Sequence, residues 1–588
     1  MFKGLFFFVR HGWRYDKRYI LWRVLYQFVS ALIPILATLM PKFIIDELLG
    51  PGRAQRLLLY VGILAGYTAV ATALSAFFNM DGFTRRCQVD ARFNADLHER
   101  LARSDYENLE NPSFLDMQEK AKMFLYCDWH GFGYLLDSAL NIVGQAFTLA
   151  GIAAIIATMN LWMVLLFALL AAAGTLAEGH AKKKATRLSL QVSADQRGWM
   201  YYAKLFDDFS YGKEIRLNAM GTWLSARERA YFTRTNENLK AQNDGFIRAG
   251  VWGAVFGCIS QCAAYAYLIG SVAAGALSIG AFTMQIAAVT AFSTSLRSVM
   301  NSLIDIRAYD AYYEHLDEYL SMPMTLREGP GREVPQGDHR IEFRDVGFRY
   351  QGASTWALRH VNIALSPGEK LSVVGENGAG KTTFIKLLTR LYDPTEGEIL
   401  LDGVNIREID YERYIELFAA VFQDYKLFSF SLKENVCLAR PADDGKIERA
   451  LRRVGLGDKL DALPKGIDTA VYKHFDETGF EPSGGEGQKI ALARALYKDA
   501  PIVVLDEPTA ALDPRAEFEL YRHFDEWTRG KTAVYISHRL SSAKFCDQIA
   551  VFEGGRIVEY GTHAQLTARR GRYAELFAMQ AGLYGIGE

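Results

Sequence analysis

The sequence predicts two fold classes in one chain: an α-helical transmembrane domain of six spans, then an α/β P-loop domain with an antiparallel β addition. Three observations lead there. Long apolar runs crowd the first half while the second is ordinary mixed sequence, so a mean hydropathy of −0.01 averages two unlike parts. A proline- and glycine-rich stretch separates them. Beyond it, the apolar run Leu371-Ser372-Val373-Val374 leads into Gly375-Glu376-Asn377-Gly378-Ala379-Gly380-Lys381-Thr382, which opens a helical pattern over 383–391.

About 20 predominantly apolar residues cross a bilayer as a helix. Six such stretches lie near 20–44, 57–79, 134–159, 161–179, 247–272 and 280–303. Ahead of them, Phe6, Phe7, Phe8 and Trp13 are mixed with Lys3, Arg10, Arg14, Lys17 and Arg18, with no small-residue cleavage site. This predicts an interfacial elbow helix over 1–19 rather than a signal peptide. The connections at 47–56, at the Asn160 turn and at 275–280 are short, whereas 80–133 and 180–248 are long and basic. Arg85, Arg86, Arg92, Arg100 and Arg103 in one, and Lys182, Lys183, Lys184 and Arg187 in the other, place both long loops and both termini in the cytoplasm.

The long loops carry few turn residues, which predicts that the spanning helices continue beyond the membrane. Each hairpin would turn at a short tip: 104–116, with Tyr106, Asn111-Pro112 and Phe114, and 205–217, with Phe206, Phe209, Tyr211 and Arg216. Aromatics exposed at such tips need a partner surface unless the hairpin buries them itself. Within the spans, Asp137, Asn141 and Gln145 recur every four residues and form one polar stripe, with Gln261, Tyr265, Gln285 and Thr290 as further polar points. Such groups face a cavity or a neighbouring helix, and spacing does not choose between them.

Charge and cysteine content set bounds on partners. A net charge of −1 gives no electrostatic argument for nucleic acid. The six cysteines, Cys87, Cys127, Cys258, Cys262, Cys437 and Cys546, lack metal-ligand or disulfide-framework spacing, so free thiols are expected.

Pro323, Gly329-Pro330-Gly331, Pro335 and Gly337 mark a linker over 322–338 between a membrane domain, 1–321, and a soluble domain, 339–588. The soluble domain opens with strand-like alternation over 341–350. Asp402-Gly403 between apolar triplets reads as a hairpin. Strands over 502–505 and 533–536 alternate with helical stretches, the pattern of an α/β core.

The strand, glycine loop and helix around 375–382 form a phosphate-binding P-loop. Its glycines let backbone N–H groups curl round phosphates, Lys381 supplies a cation, and the Thr382 hydroxyl can ligate Mg²⁺, with Thr383 next to it. Asp506 and Glu507 end an apolar strand. Asp506 would hold Mg²⁺, and Glu507 stands where it can orient or deprotonate the attacking water. Gln423 would add a metal or water contact, and His538, after the next strand, could touch the γ-phosphate or the water. Gly484 and Gly485, before a strong helical run, make a second anion site at a helix N-terminus, although a plain cap at Ser483 is chemically adequate.

With P-loop, Gln423, the signature-like Pro482-Ser483-Gly484-Gly485-Glu486, the acidic pair and His538 in this order, the second half resembles the nucleotide-binding domain of an ATP-binding cassette (ABC) transporter. The resemblance runs from about 341 to the C-terminus and implies ATP and Mg²⁺ as cofactors, with a helical signature subdomain beside the α/β core. It also implies that Tyr350 stacks on adenine, that Ser483 and Gly485 touch the γ-phosphate of ATP held by an opposite cassette, that 510–513, ending in Asp513, is the D-loop, and that Glu477-Thr478-Gly479 is an exporter loop. Two positions depart from the LSGGQ signature: Pro482 replaces Leu and Glu486 replaces Gln, the second putting a carboxylate near a polyphosphate. The first half resembles the exporter membrane domain, its hairpin tips matching the coupling helices.

The expectation is therefore an ATP-driven exporter in a bacterial plasma membrane, working as a dimer of half-transporters. A homodimer is favoured over a heterodimer with one weakened site. An ATP-gated channel or regulatory membrane protein is the alternative from another class. A soluble ATPase acting on nucleic acid is disfavoured by the spans, and coupled leader-peptide cleavage is not expected.

Overall fold

The computed structural model describes residues 3–126, 133–157, 161–191, 193–508, 526–537 and 540–583. The chain divides into two compact units, Met1–Ala102 with Asp116–Met322, and Arg103–Leu115 with Pro323–Glu588.

The first unit is helical. An elbow helix, α1 (Lys3–Tyr15), buries Phe8 and leaves Phe6 and Trp13 outside. Asp16 caps the next helix, α2 (Lys17–Leu49), through the Arg18 amide. The following helices are long. Helix α3 (Ala54–Arg103) has 50 residues, or about 75 Å at 1.5 Å per residue. This is more than twice a bilayer core of about 30 Å. After α4 (Tyr106–Leu109) and α5 (Pro112–Tyr126) come α6 (Tyr134–Ala157), α7 (Leu161–Gln191), α8 (Ser193–Asp207) and α9 (Gly212–Leu217). Helices α10 (Gly221–Ala273) and α11 (Ile279–Ser321), of 53 and 43 residues, likewise extend well past a membrane's thickness.

Among the described residues, five helices are long and apolar enough to cross a bilayer, in α2, α3, α6, α10 and α11. The fourth expected span falls in α7, whose apolar stretch is shorter, Leu165–Ala181. The Asn160 turn and Met159 lie outside the described residues. Leu58, Leu169 and Leu176, all about 70% exposed, face outward from these helices, as lipid-facing side chains do. Inside, Ile152, Ile156, Phe167, Ala264, Met284, Ala288 and Phe292 pack α6, α7, α10 and α11 together.

The polar stripe on α6 is packing for at least two of its members. Asp137 pairs with Arg23 at 2.7 Å and Arg86 at 3.6 Å. Asn141 Nδ2 donates to Ser298 and Ser302 at 2.7 and 2.9 Å, and its Oδ1 accepts from Gln27 at 3.2 Å. Gln145 Nε2 donates to Asn141 Oδ1 at 3.4 Å. Gln285 is buried and donates to the Ile155 carbonyl at 3.2 Å. Glu178 and Arg297 form an ion pair at 3.3 Å, and Arg297 also donates to the Gly253 carbonyl, a three-helix knot with no signal in the sequence periodicity. Interhelical side-chain hydrogen bonds in membranes average about 0.6 kcal/mol with a maximum near 1.7. Asn141→Leu, which breaks several, should therefore cost roughly 1–2 kcal/mol of stability. It should lower the thermal midpoint of the purified protein and leave substrate selectivity alone. A changed selectivity with unchanged midpoint would show that Asn141 serves the cavity instead.

The second unit holds two sheets. β1 (Ile341–Phe348), β2 (Leu358–Leu365), β4 (Glu396–Leu401) and β5 (Val404–Asn405) form an antiparallel sheet in the order β2-β1-β4-β5. The expected hairpin at Asp402-Gly403 is present, Leu401 pairing with Val404 and both turn residues having positive φ. β3 (Lys370–Gly375), β6 (Phe418–Val421), β7 (Ile502–Asp506), β8 (Thr532–Ile536), β9 (Gln548–Glu553) and β10 (Arg556–Gly561) form the second sheet, ordered β10-β9-β3-β8-β7-β6. Within it β3, β6, β7, β8 and β9 run parallel.

The P-loop helix α12 (Lys381–Leu388) begins two residues before the expected pattern and ends three residues short of it. Its end has a local cause: the Thr389 hydroxyl turns back to the Ile385 carbonyl, and Arg390 takes a positive φ. Helices α13 (Tyr411–Glu416), α14 (Leu432–Cys437), α15 (Asp444–Arg453), α16 (Gly457–Ala462) and α17 (Gly484–Lys498) follow, and α14 to α17 gather a second core around Ile447, Leu451, Ile490 and Leu492.

The first hairpin tip folds with this unit through Tyr106 and Asp105. Tyr106 packs on the core of the two sheets, and Asp105 accepts hydrogen bonds from the Thr325 hydroxyl and the Leu326 amide. At the second tip, Phe206 and Tyr211 are about half exposed and Leu217 is 86% exposed. The described cysteines are free thiols, and Cys127 lies outside the described residues.

Candidate functional site

Four parallel strands end on one edge of the larger sheet, and in the order β3-β8-β7-β6 each is followed by a sequence-predicted residue. The P-loop follows β3, His538 follows β8, Asp506 and Glu507 end β7, and Gln423 lies two residues after β6. Carboxyl ends of adjacent parallel strands are where α/β sheets bind ligands. His538 and Asp513 fall outside the described residues, as does the rest of 509–525.

The P-loop has the backbone its glycines permit. Gly375 sits at φ 152°, and a Cβ there would lie 2.3 Å from the Phe552 carbonyl. Gly380, at φ 102°, is the N-cap of α12, a conformation that an L side chain rarely takes. The Lys381 ammonium, on a side chain only 6% exposed, donates to the carbonyls of Gly375 and Glu376 at 2.8 and 2.9 Å. It therefore spans the loop mouth with one donor left. Burial lowers its pKa, against the opposing pull of Glu507 and Asp506.

Asp506 is the most constrained acid of the set. It is 2% exposed, and its Oδ1 has no hydrogen-bond partner among the described residues. Burial, then the charge of Glu507, raises its pKa to about 6, although a hydrogen bond with Thr382 and the charge of Lys381 oppose this. A buried carboxylate with an unsatisfied oxygen beside a threonine hydroxyl is the donor set of a hard cation. Thr382 and Asp506 thus fit Mg²⁺. Glu507 has φ 50°, uncommon for a residue with a side chain and of a kind that clusters at active sites. Its amide donates to the Ile536 carbonyl at 3.0 Å, and Gln423 Nε2 donates to its Oε2 at 2.9 Å.

Gln488 was not anticipated. Buried on α17, it donates to the Glu507 carbonyl at 3.1 Å, joining the signature helix to the acidic pair. The available signal was a glutamine on the buried face of a helix whose neighbours Ile490, Ala491, Leu492 and Ala493 are apolar.

The signature turn is a capping box. The Glu486 amide donates to Ser483 Oγ at 3.3 Å, and the Ser483 amide to Glu486 Oε2 at 2.8 Å. Lys459 pairs with Glu486 at 3.1 Å. Burial works to raise the pKa of Glu486, but the Ser483 amide and Lys459 outweigh it and hold the carboxylate ionised. The substitution of Glu for Gln is therefore absorbed locally: the carboxylate is tied back to the helix start and to a cation. Gly484 and Gly485 form the first turn of α17, and Tyr425 donates to the Gly484 carbonyl at 2.9 Å.

Tyr350 follows β1, and its hydroxyl meets that of Thr383 at 3.0 Å, which brings it beside the P-loop helix. In the exporter-like loop, the Asp476 carboxylate accepts from the Thr478 amide at 2.8 Å and from Lys465 at 2.7 Å.

Comparison with known proteins identifies the family. The family model described as ABC transporter matches residues 358–510. An ATP-dependent lipid A-core flippase of Paraburkholderia xenovorans (strain LB400) is 43% identical over 256 residues, 43% of this chain and 42% of that protein. Another protein of that name, from Alkalilimnicola ehrlichii (strain ATCC BAA-1101 / DSM 17681 / MLHE-1), is 32% identical over 443 residues, 75% of this chain and 74% of that one. The chain thus spans less than half the length of the first relative and about three quarters of the second. A solved structure described as a bacterial Atm1-family ABC exporter with ATP bound superposes with a TM-score of 0.76, over 96% of this chain and 98% of that one, at 23% identity, a likeness of fold. The chain belongs to the ABC transporter family, as a multi-pass membrane protein whose helical domain precedes its ATP-binding cassette.

Proposed function

We propose that two copies of this chain form an exporter that couples ATP hydrolysis to movement of a substrate from the cytoplasm or inner leaflet across a bacterial plasma membrane. The observation that carries the reading is the convergence of Lys381, Thr382, Asp506, Glu507 and Gln423 at one sheet edge, with a buried carboxylate oxygen left for a cation. The domains are read as 1–321 with six spans, a linker at 322–338 and a cassette at 339–588.

In this reading the P-loop amides and Lys381 bind the β- and γ-phosphates, and Tyr350 stacks on adenine. Thr382 and Asp506, with Gln423, hold Mg²⁺, which offsets phosphate charge when bound. Glu507, held by Gln423 and fixed through its backbone, accepts a proton from the attacking water. Ser483 and Gly485 of a second copy complete the γ-phosphate contacts, with His538 and Asp513 at the same junction. Closure of the cassettes would be passed to the spans through the hairpin tips and switch the cavity outward. Because Glu486 is neutralised by Lys459 and the helix start, both sites of a homodimer keep a working signature, which favours the homodimer. The relatives' names make a lipid amphiphile the first substrate class to test.

The test is reconstitution of the purified chain alone in proteoliposomes. It should dimerise, hydrolyse Mg-ATP, and accumulate a fluorescent lipid or peptide cargo in step with hydrolysis. Hydrolysis without accumulation of any cargo would favour the channel or regulatory reading. Activity that needs a second protein would replace the homodimer by a heterodimer.

A further inference from the structure

We propose that Glu110 and Asn111, at the tip of the first cytoplasmic hairpin, are positioning residues for Tyr350, so that recognition of the nucleotide base depends on that tip. The inference rests on the reading of Tyr350 as the adenine platform.

Tyr350 lies in the loop between β1 and β2, and its ring is fixed from several sides. Beyond the hydroxyl contact with Thr383, it meets Phe348 at 4.9 Å and Tyr392 at 5.5 Å between centroids, both edge-on. The Lys386 ammonium, on the P-loop helix, stands 5.6 Å from the Tyr350 ring, 5.4 Å from Tyr106 and 5.5 Å from Tyr392. All three distances are within cation–π range. Three tyrosines from three parts of the unit thus surround one lysine.

The hairpin tip supplies the anion of this cage. Lys386 donates to Glu110 Oε1 at 2.9 Å, and the Tyr392 hydroxyl donates to Glu110 Oε2. Burial works to raise the pKa of Glu110, but the hydrogen bonds from Tyr392 and Lys386 prevail and lower it. The next residue, Asn111, donates to the side chain of Gln351 at 2.5 Å, immediately after Tyr350. Two consecutive tip residues therefore act on Tyr350 through its neighbours: Glu110 through Lys386 and Tyr392, Asn111 through the side chain of the next residue, Gln351. Without Glu110 the ammonium has rings around it but loses this counter-charge, and Tyr392 loses its acceptor, so the ring edge that sets the tilt of Tyr350 is freed.

The experiment measures ATPase KM and kcat with ATP and with GTP on the full-length protein, comparing wild type, Glu110→Ala/Asn111→Ala and Tyr350→Ala. The double variant should raise KM for ATP about three- to tenfold, the scale of a lost charge-assisted contact, with kcat changed less than about twofold. Its preference for ATP over GTP should fall toward that of Tyr350→Ala. Glu110→Gln, which keeps an acceptor for Tyr392 but removes the charge facing Lys386, should lie between wild type and the double variant and decides the matter if the double variant does not fold. If Tyr350→Ala loses base preference while the Glu110 variants keep it, the tip does not position the ring and the inference fails alone. If Tyr350→Ala keeps its preference, the adenine-platform reading fails and takes the inference with it. A fall in kcat at unchanged KM and preference would also overturn it, since that is the mark of lost coupling rather than lost positioning.

Discussion

Glu507→Gln is expected to reduce ATP turnover by about 10²- to 10⁴-fold, the usual worth of a positioned general base, while ATP and Mg²⁺ still bind. The substitution keeps volume and one acceptor oxygen, so the bond from Gln423 at 2.9 Å can persist. The backbone of residue 507 stays fixed by the Ile536 and Gln488 contacts. What disappears is the carboxylate that takes the proton from water. Lys381, Thr382 and Asp506 are untouched, so the closed dimer should accumulate with Mg-ATP between its cassettes. Lys381→Ala fails the other way: it removes the ammonium that bridges Gly375 and Glu376 across the loop mouth. Phosphate binding then weakens and the cassettes stay apart. A distance probe between the cassettes with Mg-ATP present should therefore report closed for one variant and open for the other. Near-normal hydrolysis by Glu507→Gln would remove Glu507 from the role of base and turn attention to Gln423 and His538.

The candidate site at the sheet edge was legible in the sequence because its chemistry is written in short local signals. A strand that must end at a phosphate, a loop that must lack Cβ atoms and a helix that must begin there need residues that stand next to one another, as 371–382 do. The acidic pair was legible once the P-loop was known, since carboxylates at the end of an apolar strand are what a phosphate loop needs to hold a cation and orient water. What the sequence withheld depends on partners far along the chain. Glu110 meets Tyr392 across 282 positions, and Asp105 meets Thr325 across 220. No periodicity encodes either contact. The same is true of Glu178 and Arg297, which sit in stretches read only for their apolarity. The signature was legible as a motif but not as a local solution: Ser483 and Glu486 have capping-box spacing, yet the Lys459 that offsets Glu486 comes from a different helix. The polar stripe of α6 had the right period for either a cavity or a seam, and only the positions of Arg23, Gln27, Ser298 and Ser302 decide for the seam at Asp137 and Asn141.

Asp506→Asn should separate metal binding from the rest of the site. The wild-type carboxylate is buried, one oxygen lacks a partner among the described residues, and Glu507 stands beside it, so without a cation its negative charge opposes folding. The sign follows from its pKa, held up at about 6. Between the ordinary carboxylate value and 6 the folded state binds more protons than the unfolded one, so stability falls as pH rises through that window, and the full cost remains above pH 6. A neutral Asn removes this cost. In metal-free buffer near pH 7.5 the variant should unfold at a higher temperature than wild type and should lose the dependence between pH 4 and 6. With Mg²⁺ and ATP both present the order reverses, because a carboxylate that costs stability when bare is what a divalent cation binds. Wild type should gain several degrees from millimolar Mg²⁺, while the variant gains little and hydrolyses ATP at least about 10²-fold more slowly, the lower end of what a removed charge-stabilising group costs. Thermal scans with and without Mg²⁺ at fixed ATP read both arms. Equal Mg²⁺-dependent stabilisation of the two proteins would place the cation on other ligands and leave Asp506 as a buried acid with a structural cost alone.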